Sequence, residues 1–456
     1  MEPVWLNGEI AVVGLARSGK SAARLLAHAG AKVYASDAGR SDDLDATEIA
    51  LRQEGVDVEI GRHDLQRIAK AGLVVASPGV PPGAPPFVAA RNAGVGVVSE
   101  IEIGLRFLPG LAYVGVTGTN GKTTTTALIA SLLTALGHDA TAAGNIGTPL
   151  TEIALRAVAP AWVALELSSF QLHDTPSVGP VVGVLTNLSA NHLDRYSSAE
   201  EYYSDKALLF KNATPSSSWV TNADDAAVRD MVAGVPGRHA RFSVQTTSDA
   251  YWDRAAGELI VLGQPLMKRE RLRLLGEHNV ANALAAALAV MVAAEEHRTD
   301  RARGVIADTL AAFGALEHRI EPVGEKNGVV WINDSKSTNV ASTLVALESM
   351  TRPTVLLLGG RHKGEPYTSL VPALERHARA VIAYGEAGEL IQRDLEGKVP
   401  LTRLGSSFEE VVNAARGLAN PGDAVLLSPA CSSYDMFENY QERGATFKRL
   451  AFGASQ

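Results

Sequence analysis

The sequence predicts an α/β protein with three domains in series. Apolar, strand-like segments alternate with amphipathic, helix-like segments along the 456 residues, which is typical of parallel sheets. This alternation begins anew near residue 101 and again near residue 315. We therefore expect domains at 1–101, 102–315 and 316–456, in keeping with a usual domain length of about 100–200 residues.

Composition excludes several classes of protein. The formal net charge of −8 argues against a broad basic face, so we expect no nucleic-acid partner. Cys431 is the only cysteine, which excludes an internal disulfide. The first residues lack the features of a signal peptide, and the longest apolar run, 283–294, is too short to span a bilayer. We expect a cytoplasmic monomer without a membrane span.

The first domain opens with the strand IAVVGLA, a glycine turn and a helix. The helix has an apolar stripe that is closed by a glycine: Ala22, Leu25, Leu26, Ala29 and Gly30. The turn GLARSGKS (14–21) fits the phosphate-loop pattern G-x-x-x-x-G-K-[ST] without a mismatch. The next strand ends on Asp37, where dinucleotide-binding folds place a ribose-binding acid, and the following strand ends without an acid. This turn either receives a phosphate at its helix N-terminus or is an ordinary turn with a solvated lysine.

A second glycine turn, TGTNGKTT (117–124), opens the second domain and departs from the same pattern, because Val116 stands where a glycine is required. Glu166 lies near the end of a later predicted strand, WVALELSS, and His192 follows the strand after that. Parallel strands end at one edge of a sheet, so both side chains fall where Thr123 presents a metal ion. The sequence therefore places ATP and Mg²⁺ at the second turn, not at the first.

The third domain continues the alternation of strands and helices. Its predicted strands are GVVWINDSK, PTVLLLGG, ARAVIAYG and DAVLLSPA. Helices are predicted between these strands.

Several motifs, taken in order along the chain, resemble those of the Mur ligases, and the resemblance covers nearly the whole sequence. The motifs are GVTGTNGKTTT, AGNIGTP, ELSSFQL, NHLDRY, LLGEHNVANALAA, LEHRIE, WINDSKSTN and SPACSSYDMFENYQERG. ELSSFQL, WINDSKSTN and SPACSSYDMF resemble the branch of the family that adds D-glutamate. GGRHKGEPY stands where the branches that add diaminopimelate or lysine usually carry DNPR.

The resemblance implies a Rossmann-like first domain, a P-loop ATPase-like second domain and a Rossmann-like third domain. It also implies a reaction in which ATP converts the carboxylate of UDP-N-acetylmuramoyl-L-alanine to an acyl phosphate, which the amino group of D-glutamate attacks. A ligase of the same superfamily that adds another amino acid, including L-glutamate, is the nearest alternative. A nicotinamide-dependent oxidoreductase leaves the second turn unexplained, and a regulator without catalysis leaves the charged residues around that turn unexplained.

The resemblance further implies the roles of individual residues. Two Mg²⁺ ions are expected, with Thr123, Glu166, His192 and a carbamylated Lys206 as ligands. The expected catalytic residues are Lys122, Glu166, His192 and Lys206. The ATP site is expected to comprise Gly118, Thr119, Asn120, Gly121, Lys122, Thr123, Thr124, Asn282, His318, Arg319 and Asp334.

Two further sites follow from the same resemblance. Residues expected to bind the UDP-linked substrate are Leu15, Ala16, Arg17, Ser18, Asp37, Ser77, Pro78, Gly79, Asn145 and Gln171. Residues expected to bind the amino acid are Lys336, Thr338, Lys363, Ser433, Tyr434 and Tyr440. Tyr440 and Tyr434 depart from the family, in which Phe and Leu occur at these positions. Lys20 and Ser21, which complete the phosphate-loop pattern, are expected to point away from the substrate.

Overall fold

The computed structural model describes residues 8–191, 195–405 and 407–452. The chain forms two compact units, the first up to residue 269 together with 281–310, and the second from 270–280 together with the residues after 310. Within the described residues, the first unit contains two sheets and the second unit contains one. The predicted series of three α/β domains is thereby confirmed.

The first sheet is wholly parallel in the described part of the chain. Its strands are β1 (Glu9–Val13), β2 (Lys32–Asp37), β3 (Asp57–Ile60), β4 (Leu73–Ala76) and β5 (Val97–Ser99). Its helices are α1 (Arg17–His28), α2 (Asp42–Gln53), α3 (Leu65–Ile68), α4 (Pro85–Asn92) and α5 (Glu100–Phe107). The order β3-β2-β1-β4-β5 reverses at β1, and a crevice for ligands forms at such a reversal. The turn GLARSGKS leaves the sheet at this point.

The second sheet is parallel from β6 to β12 and antiparallel at one edge. Its strands are β6 (Ala112–Thr117), β7 (Ala140–Gly144), β8 (Trp162–Glu166), β9 (Val182–Leu185), β10 (Ser218–Asn222), β11 (Arg238–Ser243), β12 (Ala250–Asp253), β13 (Glu258–Val261) and β14 (Gln264–Lys268). The order is β14-β13-β12-β11-β10-β9-β6-β8-β7. The strand β6 therefore lies between β8 and β9, and the ends of all three strands lie side by side.

Seven helices accompany this part of the described chain. They are α6 (Lys122–Ala135), α7 (Leu150–Ala154), α8 (Ser169–His173), α9 (Ala199–Ala207), α10 (Ala226–Met231), α11 (Glu277–Ala293) and α12 (Asp300–Ala312). The helix α6 buries Leu128, Ile129, Leu132 and Leu133, as its apolar stripe predicts. At roughly 1.5–3 kcal/mol for each fully buried aliphatic side chain, this face holds α6, and the turn before it, against the sheet.

The third sheet is parallel except for its first strand. Its strands are β15 (Glu321–Lys326), β16 (Val329–Asn333), β17 (Thr354–Gly359), β18 (Ala378–Tyr384), β19 (Leu401–Arg403) and β20 (Ala424–Leu427), in the order β15-β16-β20-β17-β18-β19. Its helices are α13 (Val340–Glu348), α14 (Val371–His377), α15 (Gly388–Leu395), α16 (Phe408–Leu418) and α17 (Tyr440–Phe452). Across the described residues, no helix is long and apolar enough to cross a membrane.

A buried carboxyl group joins three helices within the first unit. Glu100, at the start of α5, accepts the backbone N–H of Thr151 from α7 at 2.6 Å, and the Thr151 hydroxyl contacts the same oxygen at 2.7 Å. That hydroxyl also contacts Oγ of Ser21 on α1 at 2.9 Å. Burial raises the pKa of Glu100 to about 7. The hydroxyl of Ser21 is thus used to pack α1 against α7.

We expect Glu100→Gln to flatten the pH dependence of stability. The pKa of Glu100 is higher in the folded chain than its ordinary value of 4.5, so unfolding releases this proton and stability falls as the pH rises from about 4.5 to 7. The loss amounts to about 3 kcal/mol at most. Urea unfolding of both proteins between pH 5 and 8 measures it, and parallel curves for the two proteins would contradict the assignment.

Candidate active site

The second glycine turn has a backbone shape that only glycine accommodates. Gly118 has φ +142°, and an added Cβ would lie 2.0 Å from Oγ1 of Thr186. Gly121 has φ +83°, and an added Cβ would lie 2.3 Å from Oδ1 of Asn282. The turn leads directly into α6, whose first residue is Lys122. Free backbone N–H groups at such a helix start bind phosphate.

Val116 departs from the phosphate-loop pattern because it still belongs to the sheet. It pairs with Glu166 of β8 and with Val184 of β9, and it is fully buried. A glycine at this strand position would weaken the pairing and leave a gap in the core. The turn itself begins after Thr117, the last residue of β6.

The segment after β9 holds the glycine turn in place. Asn187 accepts the N–H of Asn120 at 2.9 Å and donates its amide to the carbonyl of Asn120, also at 2.9 Å. The Thr186 hydroxyl donates to the same carbonyl at 2.6 Å. Thr119 donates its N–H to the carbonyl of Asn187 at 2.8 Å and its hydroxyl to the carbonyl of Ser189 at 3.0 Å. The sequence analysis did not identify Thr186, Asn187 or Ser189, although the largely polar run TNLS directly follows a buried strand.

Glu166 presents a buried carboxylate at the edge where the turn lies. Its side chain is 1% exposed, and Oε1 accepts the amide of Asn145 at 2.9 Å. Oε2 is buried and has no hydrogen-bond partner among the described residues. Burial of such an oxygen is costly unless a cation or donor compensates it. The geometry therefore fits a divalent cation held by Glu166.

Of the other expected metal ligands, the structure describes Thr123 and Lys206 but not His192. Thr123 is buried in the first turn of α6, and the strand before this helix, β6, pairs with β8, which carries Glu166. His192 lies outside the described residues. Within the described ranges there is no group of three or more His, Cys, Asp or Glu side chains that forms a metal site. Carboxylate and hydroxyl oxygens are what Mg²⁺ prefers, and it usually takes few protein ligands.

Two lysine amines meet at one carbonyl oxygen of the turn. Lys206, from α9, donates to the carbonyl of Gly118 at 2.8 Å, and Lys122 donates to it at 2.9 Å and to the carbonyl of Thr119 at 2.7 Å. Lys206 is 1% exposed, and its amine lies 4.4 Å from the centre of the Tyr202 ring. Burial, and secondarily the charge of Lys122, lower the pKa of Lys206 well below its ordinary value. A neutral amine at this position is a nucleophile.

Asn282, expected at the adenine, lies against the turn. Its Oδ1 accepts the hydroxyl of Thr125 at 3.3 Å and faces Gly121.

Gln171, expected at the substrate, forms a capping box with Ser168 at the start of α8. Its Nε2 is buried and has no hydrogen-bond partner among the described residues.

The first glycine turn borders a cavity of about 540 Å³. The cavity is lined by Leu15, Ala16, Arg17, Lys20, Asp37, Asp43, Leu44, Ala46 and Thr47. Asp37 closes the turn by accepting the N–H groups of Leu15 at 2.7 Å and Gly39 at 2.8 Å. Lys20, which is expected to point away from the substrate, lies in the first turn of α1 and is among the residues that line the cavity. Ser18, Ser77, Pro78 and Gly79 lie in or beside the two strand-end turns at this edge.

The third sheet brings several expected residues together within the second unit. The His318 ring meets the Tyr440 ring edge-on at 5.9 Å, and Lys336 Nζ lies 5.4 Å from the centre of that ring. Lys363 donates to the Thr338 hydroxyl at 3.3 Å.

Two further expected residues differ in exposure. Ser433 is buried, whereas Tyr434 is 65% exposed.

Arg319, expected at the ATP, follows His318 and donates its N–H to the carbonyl of Leu316 at 3.0 Å.

Asp334 is a buried acid at the end of β16. It accepts the N–H of Ile320 at 3.1 Å and the hydroxyl of Ser428 at 2.7 Å. Burial raises its pKa to about 6, against the opposing effect of hydrogen bonds that include the one from Ser428. The carboxylate thus has partners that fix its orientation.

Three protein-family models match the chain in order. A Mur ligase MurD-like N-terminal domain matches residues 8–99, a Mur ligase middle domain matches 116–290, and a Mur ligase glutamate ligase domain matches 318–431. The chain belongs to the Mur ligase family.

Several relatives that share the same name are similar to this Mur ligase over nearly its whole length. The UDP-N-acetylmuramoylalanine–D-glutamate ligase of Salinibacter ruber is 40% identical and covers 96% of each chain. The ligases with this name from Acidobacterium capsulatum and Geotalea uraniireducens are 38% and 40% identical, and cover 97% and 98% of this chain and 95% and 97% of their own.

Solved structures support the fold alone, because their identity is low. The UDP-N-acetylmuramate-alanine ligase MurC from Thermotoga maritima has a TM-score of 0.61 at 20% identity and covers 97% of this Mur ligase and 98% of its own chain. The MurF ligase from Thermotoga maritima, solved in complex with ADP, has a TM-score of 0.62 at 18% identity and covers 93% and 96%.

We expect Asn187→Ala to raise the KM for ATP about tenfold. The change removes two hydrogen bonds to Asn120, each worth roughly 0.5–1.5 kcal/mol, and so loosens the turn. Steady-state kinetics with varied ATP measures the effect. Asn212→Ala is the matched control, because Asn212 also makes two bonds to backbone, at Pro176 and Val178. Equal effects of the two changes would contradict a specific role of Asn187.

Proposed function

We propose that this Mur ligase joins UDP-N-acetylmuramoyl-L-alanine to D-glutamate and converts ATP to ADP and phosphate in peptidoglycan precursor synthesis. The observation that carries the chemistry is the cluster at the second turn, where Lys122, Lys206 and the unpartnered oxygen of Glu166 lie around one edge of a sheet. The substrates are those in the names of relatives about 40% identical over nearly the whole chain.

The triphosphate of ATP is proposed to bind at the second turn. The bond from its γ-phosphorus to ADP breaks, and a new bond to the substrate carboxylate forms an acyl phosphate. The amino group of D-glutamate then attacks the acyl carbon, the amide forms, and phosphate leaves while a base takes the amine proton. Lys122 and the N–H groups at the start of α6 offset the negative charge of the transferred group.

The expected ATP residues keep their roles in this proposal. Gly118, Thr119, Asn120, Gly121, Lys122, Thr123 and Thr124 form the phosphate turn, and Asn282, His318, Arg319 and Asp334 contact the adenosine part. Asp334 suits a ribose hydroxyl, because its carboxylate is already oriented by Ile320 and Ser428.

Two Mg²⁺ ions are proposed to accompany ATP. Thr123, Glu166, His192 and carbamylated Lys206 would hold them, and the ions would neutralise phosphate charge. The structure supports the fit at Glu166, whose Oε2 is buried and unpartnered. At Lys206 the amine is buried and its pKa is lowered, and both properties favour the neutral form that reacts with carbon dioxide.

The UDP-linked substrate is proposed to bind at the first turn and extend toward Glu166. The cavity beside Leu15, Ala16, Arg17 and Asp37 accommodates part of a nucleotide, and the helix N-terminus there suits a diphosphate. The further proposed contacts are Ser18, Ser77, Pro78, Gly79, Asn145 and Gln171. The strand β4 beside this turn ends without an acid, in keeping with a diphosphate that binds without Mg²⁺.

D-Glutamate is proposed to bind in the third domain. Two carboxylates need cationic and hydroxyl partners, and Lys336, Lys363 and Thr338 supply them. Ser433, Tyr434 and Tyr440 complete the proposed site. We also propose domain boundaries at 101/102 and 315/316, a monomer, and a cytoplasmic location where ATP and nucleotide-linked precursors are available.

An amino-acid panel tests the proposed function against the second candidate, a ligase for another amino acid or for L-glutamate. With UDP-N-acetylmuramoyl-L-alanine and ATP, we expect ADP release with D-glutamate and little with L-glutamate, lysine or diaminopimelate. A reaction without amino acid gives the background rate. Turnover with lysine or diaminopimelate, and none with either glutamate, would overturn the proposal.

We expect Lys206→Ala to lose at least about a hundredfold in kcat and to recover part of it in short carboxylates. The change removes the group proposed to carry the carbamate, and a small carboxylate offers similar oxygen atoms. The measurement is kcat with increasing acetate. Lys211→Ala, an exposed lysine five residues on, is the control and should be unaffected. Full activity of Lys206→Ala without added carboxylate would refute the role of Lys206.

A further inference from the structure

Arg443 is a buried guanidinium shared by loops that follow three neighbouring strands. Its side chain is 1% exposed. Nε donates to the hydroxyl of Ser335 at 3.0 Å, and Nη2 donates to the carbonyls of Ser335 at 2.9 Å and Cys431 at 3.1 Å. On the third side, a Cβ added to Gly360 would lie 3.2 Å from Nη1. The hydrogen bonds fix the backbone beyond β16 and β20, and Nη1 lies near the backbone beyond β17, the next strand in the sheet.

The charge of Arg443 is not neutralised by an ion pair. Among the described residues, no carboxylate forms a salt bridge with Arg443, and its hydrogen bonds go to two backbone carbonyls and one hydroxyl. Asp435, on the same loop as Cys431, instead accepts the N–H of Glu386 at 3.0 Å. An uncompensated buried cation is costly to the fold, and an anionic ligand nearby lowers that cost.

The loops that Arg443 holds are those that carry the proposed amino-acid site. Lys336 directly follows Ser335, Lys363 lies three residues after Gly360, and Ser433 lies two residues after Cys431. A forked guanidinium bonds to two loops at once in a fixed geometry, which a lysine ammonium does not reproduce. A small displacement of the substrate-binding side chains on these loops is enough to weaken binding.

We propose that Arg443 is a positioning residue for the binding of a dicarboxylic amino acid. It holds two loops in register and lies beside a third, and its positive charge favours a doubly anionic ligand. This inference rests on the proposed function, since it concerns the amino-acid site of the same reaction. Arg443 acts through Ser335 and Cys431 and not by contact with the substrate.

The test compares Arg443→Lys with a matched control, Arg303→Lys. Arg303 is also buried and also donates to two backbone carbonyls, those of Val261 at 2.8 Å and Gln264 at 3.0 Å, but it lies at the antiparallel edge of the second sheet. We expect Arg443→Lys to raise the KM for D-glutamate at least tenfold, with kcat within about threefold. The KM values for ATP and the UDP-linked substrate stay within about twofold. Arg303→Lys lowers Tm and leaves all three KM values unchanged.

Two results would overturn the inference: an unchanged KM for D-glutamate in folded Arg443→Lys, or an equal rise of all three KM values. If Arg443→Lys does not fold, Ser335→Ala, which removes only one acceptor of Nε, decides by the same criteria. A wild-type chain that uses a different amino acid contradicts the proposed substrate, and the KM for that amino acid then decides the role of Arg443.

Discussion

The carbonyl oxygen of Gly118 accepts two lysine amines, and the geometry of the surrounding site depends on this shared contact. Burial, and secondarily repulsion from Lys122, lowers the pKa of Lys206 and drives its amine toward the neutral form. The glycines of the turn let its carbonyl groups face the lysines. The segment after β9 ties the outer side of the turn to the sheet. One backbone conformation thereby fixes the positions of both amines.

The arrangement of strands explains what the sequence predicted well. Alternating apolar segments predicted the parallel sheets, and the rule that parallel strands end at one edge predicted Glu166 beside the turn. Asn187 could not be predicted in the same way. Its bonds to Asn120 depend on β9 lying next to β6, and this neighbour relation comes from the strand order and not from the chain order. Until the strand order is known, the sequence does not show which of the polar residues after a buried strand contacts the turn.

Charged residues on helices were also harder to place from the sequence. The sequence alone does not show that Lys20, in the first turn of α1, lines the same cavity as Asp37. Arg443 escaped notice because a helix pattern marks arginine as exposed, whereas α17 buries it beneath three loops. Such a burial depends on oxygen atoms contributed by residues about 12 and 108 positions away in the chain.

The contact between Ser21 and Thr151 bears on how phosphate-binding motifs are identified in genome sequences. In GLARSGKS, the final serine that completes the pattern bonds a neighbouring helix, and this use imposes no requirement for a nucleoside triphosphate. Val116 shows the converse. It is a strand residue that breaks the sequence pattern, yet the turn that follows has left-handed glycines before a helix, a shape that suits phosphate. A text search for the pattern selects the first turn and passes over the second. A search for two left-handed glycines that precede a lysine-initiated helix would select the second turn.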